Sequence, residues 1–290
     1  MLAERRLPPW FKVKFPGGPN YLRLKALMRL QGLHTICEEA RCPNIGECWE
    51  YGTATFMILG EICTRRCAYC NVTTGRPNPV DPAEPRRVAE AAKAMALRYA
   101  VVTSPNRDDL PDGGAAIFAA TIAEIRALNP ACKVEVLIPD FMGVERDLLT
   151  VLDASPDVLN HNIETVAGLF KRVRPKGSYD RSIRLLADVK RHRPTMTTKS
   201  GIILGMGETD DQVLETMADL READCDILTL GQYLRPSDKH IPVARFLAPD
   251  QFASLKSRGL AMGFKHVESG PLVRSSYHAH EHAESAAAIA

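Results

Sequence analysis

The chain has 290 residues, 45% of them hydrophobic and 25% charged, with 37 Lys and Arg against 35 Asp and Glu. That length can carry one large domain with a substantial core. The near balance of charge gives no bulk electrostatic reason to expect a nucleic-acid partner. No stretch approaches the roughly 20 consecutive apolar residues that a membrane-spanning helix needs.

In chain order, the opening run MLAERRLPPWFKVKFPGG breaks on prolines before any apolar core develops. A secretory signal does not look like this, so cytoplasm is the expected location. Residues 1–52 have little apolar periodicity beyond one helix around Tyr21–Gln31, and read as an extension wrapped on a core. They carry Cys37, Cys42 and Cys48 in C-x4-C-x5-C spacing. From Thr53 onward, short apolar runs alternate with helical stretches. Strands are expected at Thr53–Leu59, Tyr99–Thr103, Lys133–Ile138, Val158–Ile163, Thr198–Leu204 and Ile227–Leu230. Each interval has room for a crossover helix, as parallel βαβ units require. Thr209 with Gln212 three residues later predicts a capped helix start ahead of Val213, Met217 and Leu220. Six units in about 180 residues fall short of the ~250 that an eightfold barrel takes. The expected class is α/β, an open partial (β/α)6 barrel. A last helix is expected around Asp250–Gly263, then a polar tail whose final dozen residues read as frayed. The division expected is 1–52, 53–232 and 233–290.

The cysteines carry the chemistry. Six of eight lie between Cys37 and Cys70. Clustered in a chain with no export signal, they point to reduced thiols and metal and not to disulfides. The second triplet, Cys63, Cys67 and Cys70 in CTRRCAYC, follows the first strand directly, at the end where parallel α/β folds build their active sites. A closed zinc or iron–sulfur site normally takes four protein ligands, so each triplet is one short. On a [4Fe–4S] cluster, three thiolates leave one iron open to an exogenous chelating ligand. A zinc site or chance loop cysteines is the plainer reading of the spacing alone.

The motif CTRRCAYC resembles that of the radical S-adenosylmethionine (SAM) enzymes. The blocks GLHTICEEARCPNIGECW, TATFMILGEICTRRCAYCNVTTGRP, RDDLPDGGA, NHNIET, TKSGIILGMGET, LTLGQYLRPS and VRSSYHA resemble, in that order, those of the lipoyl synthase family. The likeness runs from about Tyr21 to Ala279. It implies a partial (β/α)6 radical SAM barrel with N-terminal and C-terminal extensions over the barrel mouth. It implies two [4Fe–4S] clusters. Cys63, Cys67 and Cys70 would hold one, whose open iron binds SAM so that a 5′-deoxyadenosyl radical can be formed. Cys37, Cys42 and Cys48 would hold an auxiliary one that donates sulfur. A serine of RSSY would complete the second through oxygen, with Ser276 favoured over Ser275, although adjacency leaves both open. The reaction implied is sulfur insertion at C6 and C8 of an octanoyl chain on a lysine of a lipoyl carrier domain or H-protein. Further implied partners are an electron donor such as flavodoxin or ferredoxin, and an iron–sulfur assembly or carrier protein.

Cofactor contacts are expected from Tyr69, just before the third cysteine, and from Asp112, Gly113 and Gly114, where glycines permit close backbone approach. An ordinary turn is the other reading of those three. Lys199 and Ser200 lie in an expected strand, where an unpaired lysine is costly to bury. Either a contact to the SAM carboxylate or a barrel-end ion pair accounts for Lys199. Arg174 suits a carboxylate by its forked donors, or covers surface. Asn160, His161, Asn162, Glu164, Gln232 and Tyr233 are expected to line a pocket. His278, His280 and His282 alternate in the tail and read as a flexible polar end, with stray metal binding as the other reading; Cys132 and Cys225 are expected in the core. The basic runs 171–176 and 190–193 read as solvated helix faces. The rivals are another radical SAM sulfur inserter, such as a biotin synthase or a methylthiotransferase, and a non-catalytic iron–sulfur or zinc protein. The upstream triplet and the RSSY ending count against the first; an open iron site on an enzyme-type barrel counts against the second.

Overall fold

The computed structural model describes residues 7–12, 16–30, 32–39, 42–50, 54–279 and 281–282. Calls that fall on Gln31, Thr53, His280 or 283–290 lie outside them. The N-terminal segment holds α1 (Pro19–Leu30), β1 (His34–Thr35), α2 (Ile36–Glu39) and α3 (Ile45–Glu50). β2 (Ala54–Met57) is followed by a loop bracketed by the short strands β3 (Ile62–Cys63) and β4 (Thr73–Thr74). Then come α4 (Glu84–Ala94), β5 (Tyr99–Thr103), α5 (Ala115–Leu128), β6 (Lys133–Leu137), α6 (Glu145–Asp153) and β7 (Val158–Asn160). The chain continues through α7 (Ala167–Val173), α8 (Tyr179–His192), β8 (Thr197–Leu204), α9 (Asp210–Glu222), β9 (Ile227–Gln232), α10 (Pro249–Ala261) and β10 (His266–Gly270).

The sheet order is β1-β2-β5-β6-β7-β8-β9-β10, parallel throughout except that β1 runs antiparallel to β2. No pairing joins its two edges among the described residues, so the barrel is partial and open. All six expected strands form. A seventh parallel strand, β10, was missed because HVESG is too polar and short to show a strand period. The expected cap at Thr209 forms: its Oγ1 accepts from Gln212 N at 3.2 Å, and Gln212 Oε1 accepts from Thr209 N at 3.0 Å.

Strands buried on both faces read as apolar runs because each face has its own cover. Phe56, Val102, Val134, Val136 and Leu159 pack under the helices in one large core with Phe118, Ile122, Leu152 and Leu186. Alternate residues turn to the other face, and there Tyr99, Val101 and Val158 pack on Ala279 of the C-terminal segment. That segment therefore packs on the inner face of the partial barrel. Cys132 and Cys225 are buried in the helix-covered core, as expected. None of the described helices is long and apolar enough to cross a membrane.

Candidate functional site

A cavity of about 490 Å³ opens at the C-terminal ends of the parallel strands. Met57, Thr103, Leu137, Gly201, Ile203 and Gly231 face it from five strands. Cys63, Cys67 and Cys70 line it from the loop after β2, and Cys37 and Cys42 line it from the N-terminal segment. Ser275 and Ser276 line it from the C-terminal segment. Two thiols of the first triplet and all three of the second thus open on one space, although 15 residues separate Cys48 from Cys63 in sequence.

Beyond Cys63, which ends β3, the CTRRCAYC loop is pinned by main-chain bonds from distant segments. Thr64 N donates to Asn106 O at 2.9 Å, Ala68 N to Val173 O at 2.9 Å, and Ile241 N to Ala68 O at 3.0 Å. Arg65 is 3% exposed and forks between Asp108 and Asp140, its Nη2 lying 2.8 and 2.6 Å from one oxygen of each. Arg181 reaches Asp140 from α8 at 3.0 Å. Burial opposes ionisation of Asp140, but Arg65 overrides it and holds that carboxyl well below the usual carboxylate range.

The extensions meet over the mouth. Asn44 Nδ2 donates to Leu272 O at 2.7 Å, and Tyr277 OH donates to the Glu47 carboxylate at 3.3 Å. Asn71 Nδ2 donates to Glu39 O at 2.9 Å, tying the N-terminal segment to the CTRRCAYC loop as well. These bonds bring Ser275 and Ser276 to the wall shared with Cys37 and Cys42.

All eight cysteines are free thiols. Burial, then the neighbouring Cys42, pushes Cys37 up to about 12. Burial raises Cys48 too, with Cys42 and Cys37 adding to it. In the second triplet burial takes Cys70 to about 12, Cys67 and Cys63 contributing against a main-chain bond from Val72. Burial raises Cys67 and Cys42 also, offset in part by Arg174 and Arg274 respectively. Each triplet is thus a set of three thiols that repel one another once ionised, as a cation-binding set does before it is filled. Cys63 Sγ also accepts from the main-chain N–H groups of Arg65 and Asn106 at 3.4 and 3.3 Å. N–H donors of this kind stabilise cluster thiolates and tune their potential. The donor sets fit iron–sulfur clusters.

Tyr69 and Arg174 line the cavity. Arg174 donates to Asn162 O at 2.9 Å and lies over the Phe170 ring. His161, Asn162, Glu164, Gln232 and Tyr233 line it too; Asn160 does not. Burial raises the Glu164 carboxyl, against the opposing charge of Arg174.

Five contacts expected of the cofactor fall elsewhere. Lys199 is 0% exposed and lies below the cavity, its Nζ 3.0 and 3.2 Å from the Glu135 oxygens, with Tyr99 OH and Asn160 Nδ2 on the same carboxylate. The ion-pair reading holds: β6 and β8 place both charges on the inner face, where each compensates the other. Ser200 Oγ donates to His161 O and accepts from Ile163 N, stitching β8 to the end of β7. Asp112 starts α5 by accepting from Gly114 N and Ala116 N, both at 2.9 Å. Gly114 has φ +93°, and a Cβ there would come 2.2 Å from Leu59 Cδ1. Gly113, at φ +60°, would bring one 3.0 Å from Phe141 Cδ1. These glycines make a turn and let it pack; they do not border the cavity.

Residues the sequence reading passed over include Arg65, Arg235, Arg274 and the run Thr103–Asn106, all on the cavity wall. Position just after a strand was the available signal for Thr103–Asn106. The three arginines stand inside the blocks CTRRCAYC, LTLGQYLRPS and VRSSYHA, but nothing local gives them a role.

His161 makes a pH prediction. Its Nδ1 faces Ile138 O at 2.9 Å and its Nε2 faces Ser182 Oγ at 3.0 Å. Burial, then the charge of Arg174, pushes it down from 6.5 to about 4. Between those values the unfolded chain binds a proton that the folded one refuses, so stability is lost as pH falls through that window. The loss tends to about 3 kcal/mol at its lower end. Urea midpoints across the window are expected to fall more steeply for the parent than for His161→Gln, and equal slopes would contradict the assignment.

A strand-ordered α/β sheet with a three-thiol loop at the C-terminal end of its first parallel strand defines the radical SAM class. A profile of the radical SAM superfamily matches residues 57–220. Solved structures agree on the fold: HydG, a maturase of the [FeFe]-hydrogenase, superposes with TM-score 0.58 at 15% identity over 73% of this chain and 50% of that one. SuiB from Streptococcus suis, bound to S-adenosylmethionine, gives 0.56 at 10% identity over 74% and 49%. Within that class, the N-terminal domain of lipoyl synthase matches residues 2–42. Lipoyl synthase of Rubrobacter xylanophilus is 58% identical over 96% of this chain and 87% of its own length. That of Chloroflexus aggregans is 57% identical over 96% and 90%, and that of Laribacter hongkongensis 54% over 96% and 89%. The chain belongs to the lipoyl synthase family of radical SAM sulfur-inserting enzymes.

Proposed function

We propose that the protein inserts two sulfur atoms, at C6 and C8, into an octanoyl chain carried on a lysine of a lipoyl carrier domain or H-protein. Cys37 and Cys42 of the first triplet, all three thiols of the second and both serines border one cavity, and that observation carries the reading. Cys63, Cys67 and Cys70 would hold one [4Fe–4S] cluster, together with SAM. Cys37, Cys42 and Cys48, with Ser276 or its neighbour Ser275, would hold a second that is consumed as the sulfur source. When bound, the first cluster and SAM supply one-electron chemistry able to take a hydrogen atom from a saturated carbon, which no acid, base or nucleophile can activate.

The chain's own residues do the rest. Tyr69 and Arg174 wall the side of the cavity next to Cys67, and Arg174 offers a forked donor to a carboxylate. Ile138, Ile203 and Val273 supply apolar lining for an acyl chain. The bonds from Asn44 and Tyr277 hold the extensions together, so the acyl chain lies between the two triplets and water is excluded from it. A hard serine oxygen among soft thiolates is a weak ligand, suited to a cluster that must come apart. In this reading residues 1–52 and 233–290 are the extensions that complete the site on the barrel of 53–232. A flavodoxin or ferredoxin would supply electrons, an iron–sulfur carrier would renew the donor, and the location would be cytoplasmic.

The test is mass spectrometry of an octanoyl-lysine carrier peptide after anaerobic incubation with reconstituted protein, SAM and a strong reductant. Two added sulfur atoms are expected. An unchanged peptide beside abundant 5′-deoxyadenosine would overturn the substrate. Ser276→Ala is expected to keep 5′-deoxyadenosine formation near the parent rate while sulfur insertion collapses. Parallel loss of both activities would contradict the division of labour.

A further inference from the structure

At the opposite end of the sheet from the cavity, His266 opens β10 and pairs with Ile227, the first residue of β9. Glu268 follows two residues later, so both side chains leave the same face of the strand. His266 Nε2 lies 3.5 Å from Glu268 Oε2 and is a buried nitrogen that makes no hydrogen bond. Onto this pair comes His282 from the C-terminal segment, 1% exposed, its ring 4.6 Å from that of His266 at an interplanar angle of 31°. One donor atom from each of the three lies within 4.8 Å of the other two.

We propose that His266, Glu268 and His282 form a binding site for a divalent metal ion of the zinc type. Two imidazoles and a carboxylate are a donor set zinc accepts, with water in the fourth position. Metal–ligand bonds of about 2.0–2.2 Å in a tetrahedron put neighbouring ligand atoms about 3.4 Å apart. The His266–Glu268 pair is already at that spacing, and only the His282 ring has to close. Lys256 Nζ, 3.5 Å from Glu268 Oε2 and half exposed, is displaced into solvent as the metal takes its place. The site uses none of the six clustered cysteines. Its effect is mechanical: Ala279 packs under Tyr99, Val101 and Val158, and a metal three residues further on clamps the far end of the segment that carries Ser275 and Ser276.

The test uses holoprotein with its iron and sulfide loaded, dialysed anaerobically against micromolar Zn²⁺, with zinc and iron counted in the same samples. One zinc per chain at unchanged iron is expected. It should be lost in His282→Ala, weakened in the nearly isosteric Glu268→Gln, and kept in His192→Ala, which removes a partly exposed histidine beside Glu145. His282 lies beyond the last strand, so its substitution tests the site without endangering the barrel. Zinc binding that persists unchanged in His282→Ala, zinc gained only as iron is lost, or no zinc bound at all would each overturn the assignment.

Discussion

Lys199→Met is expected to destabilise the protein by about 3–5 kcal/mol, the usual cost of removing one partner from a buried ion pair. Glu135 would keep Tyr99 OH and Asn160 Nδ2, at 2.8 and 3.2 Å, but no charge to balance its own. For a chain this size the loss corresponds to a fall in Tm of roughly 10 °C. The double variant Lys199→Met/Glu135→Gln is expected to recover most of it, because the neutral amide still accepts from Tyr99 and leaves no buried charge. Thermal melts read both. SAM cleavage measured well below the melting point should survive in Lys199→Met. Loss of cleavage in a folded variant would restore the cofactor-contact reading that the geometry sets aside.

Arg65→Met is expected to cost about 3 kcal/mol, at the low end of the same range because Arg181 still reaches Asp140. The larger consequence is local. Arg65 spends Nε and Nη2 on Asp108 and both terminal nitrogens on Asp140, so the loop between Cys63 and Cys67 is fastened at its centre. Without the fork, formation of 5′-deoxyadenosine should fall together with stability. Arg65→Lys should rescue neither, since an ammonium cannot bridge two carboxylates in a plane. Denaturant midpoints and 5′-deoxyadenosine formation check this. A lysine variant with parent-like values in both would show that charge alone suffices.

Asp140 gives the second variant a pH signature. Its carboxyl is held below the usual range, so its contribution is present at neutral pH and lost as pH falls below the ordinary carboxylate value of about 3.9. Arg65→Met should lose less stability in that acid range than the parent does.

Cysteine spacing and strand periodicity are local properties, and they were legible. C-x3-C-x2-C after a strand placed a three-thiol loop at the C-terminal end of the sheet, and the apolar runs from Tyr99 to Leu230 marked the parallel strands. Capping at Thr209 was legible for the same reason, since its two bonds span three residues. β10 was not, because five residues carrying His, Glu, Ser and Gly become a strand only by pairing with β9.

The sequence by itself determined the class of chemistry, because the number and spacing of thiols set what metal group a loop can hold before any fold exists. Only the tertiary structure decided which other residues share that space. Lys199, Ser200 and Asp112–Gly114 have the right chemistry for a cofactor, yet strand register and a turn direct them to Glu135, to the β7 end and to α5. Arg65, Arg235, Arg274 and Ser275 or Ser276 reach the cavity through contacts across the chain: an aspartate pair about 43 and 75 residues away, and bonds between segments more than 200 residues apart. A residue's partner across such a distance depends on how the sheet closes, and no local pattern records it.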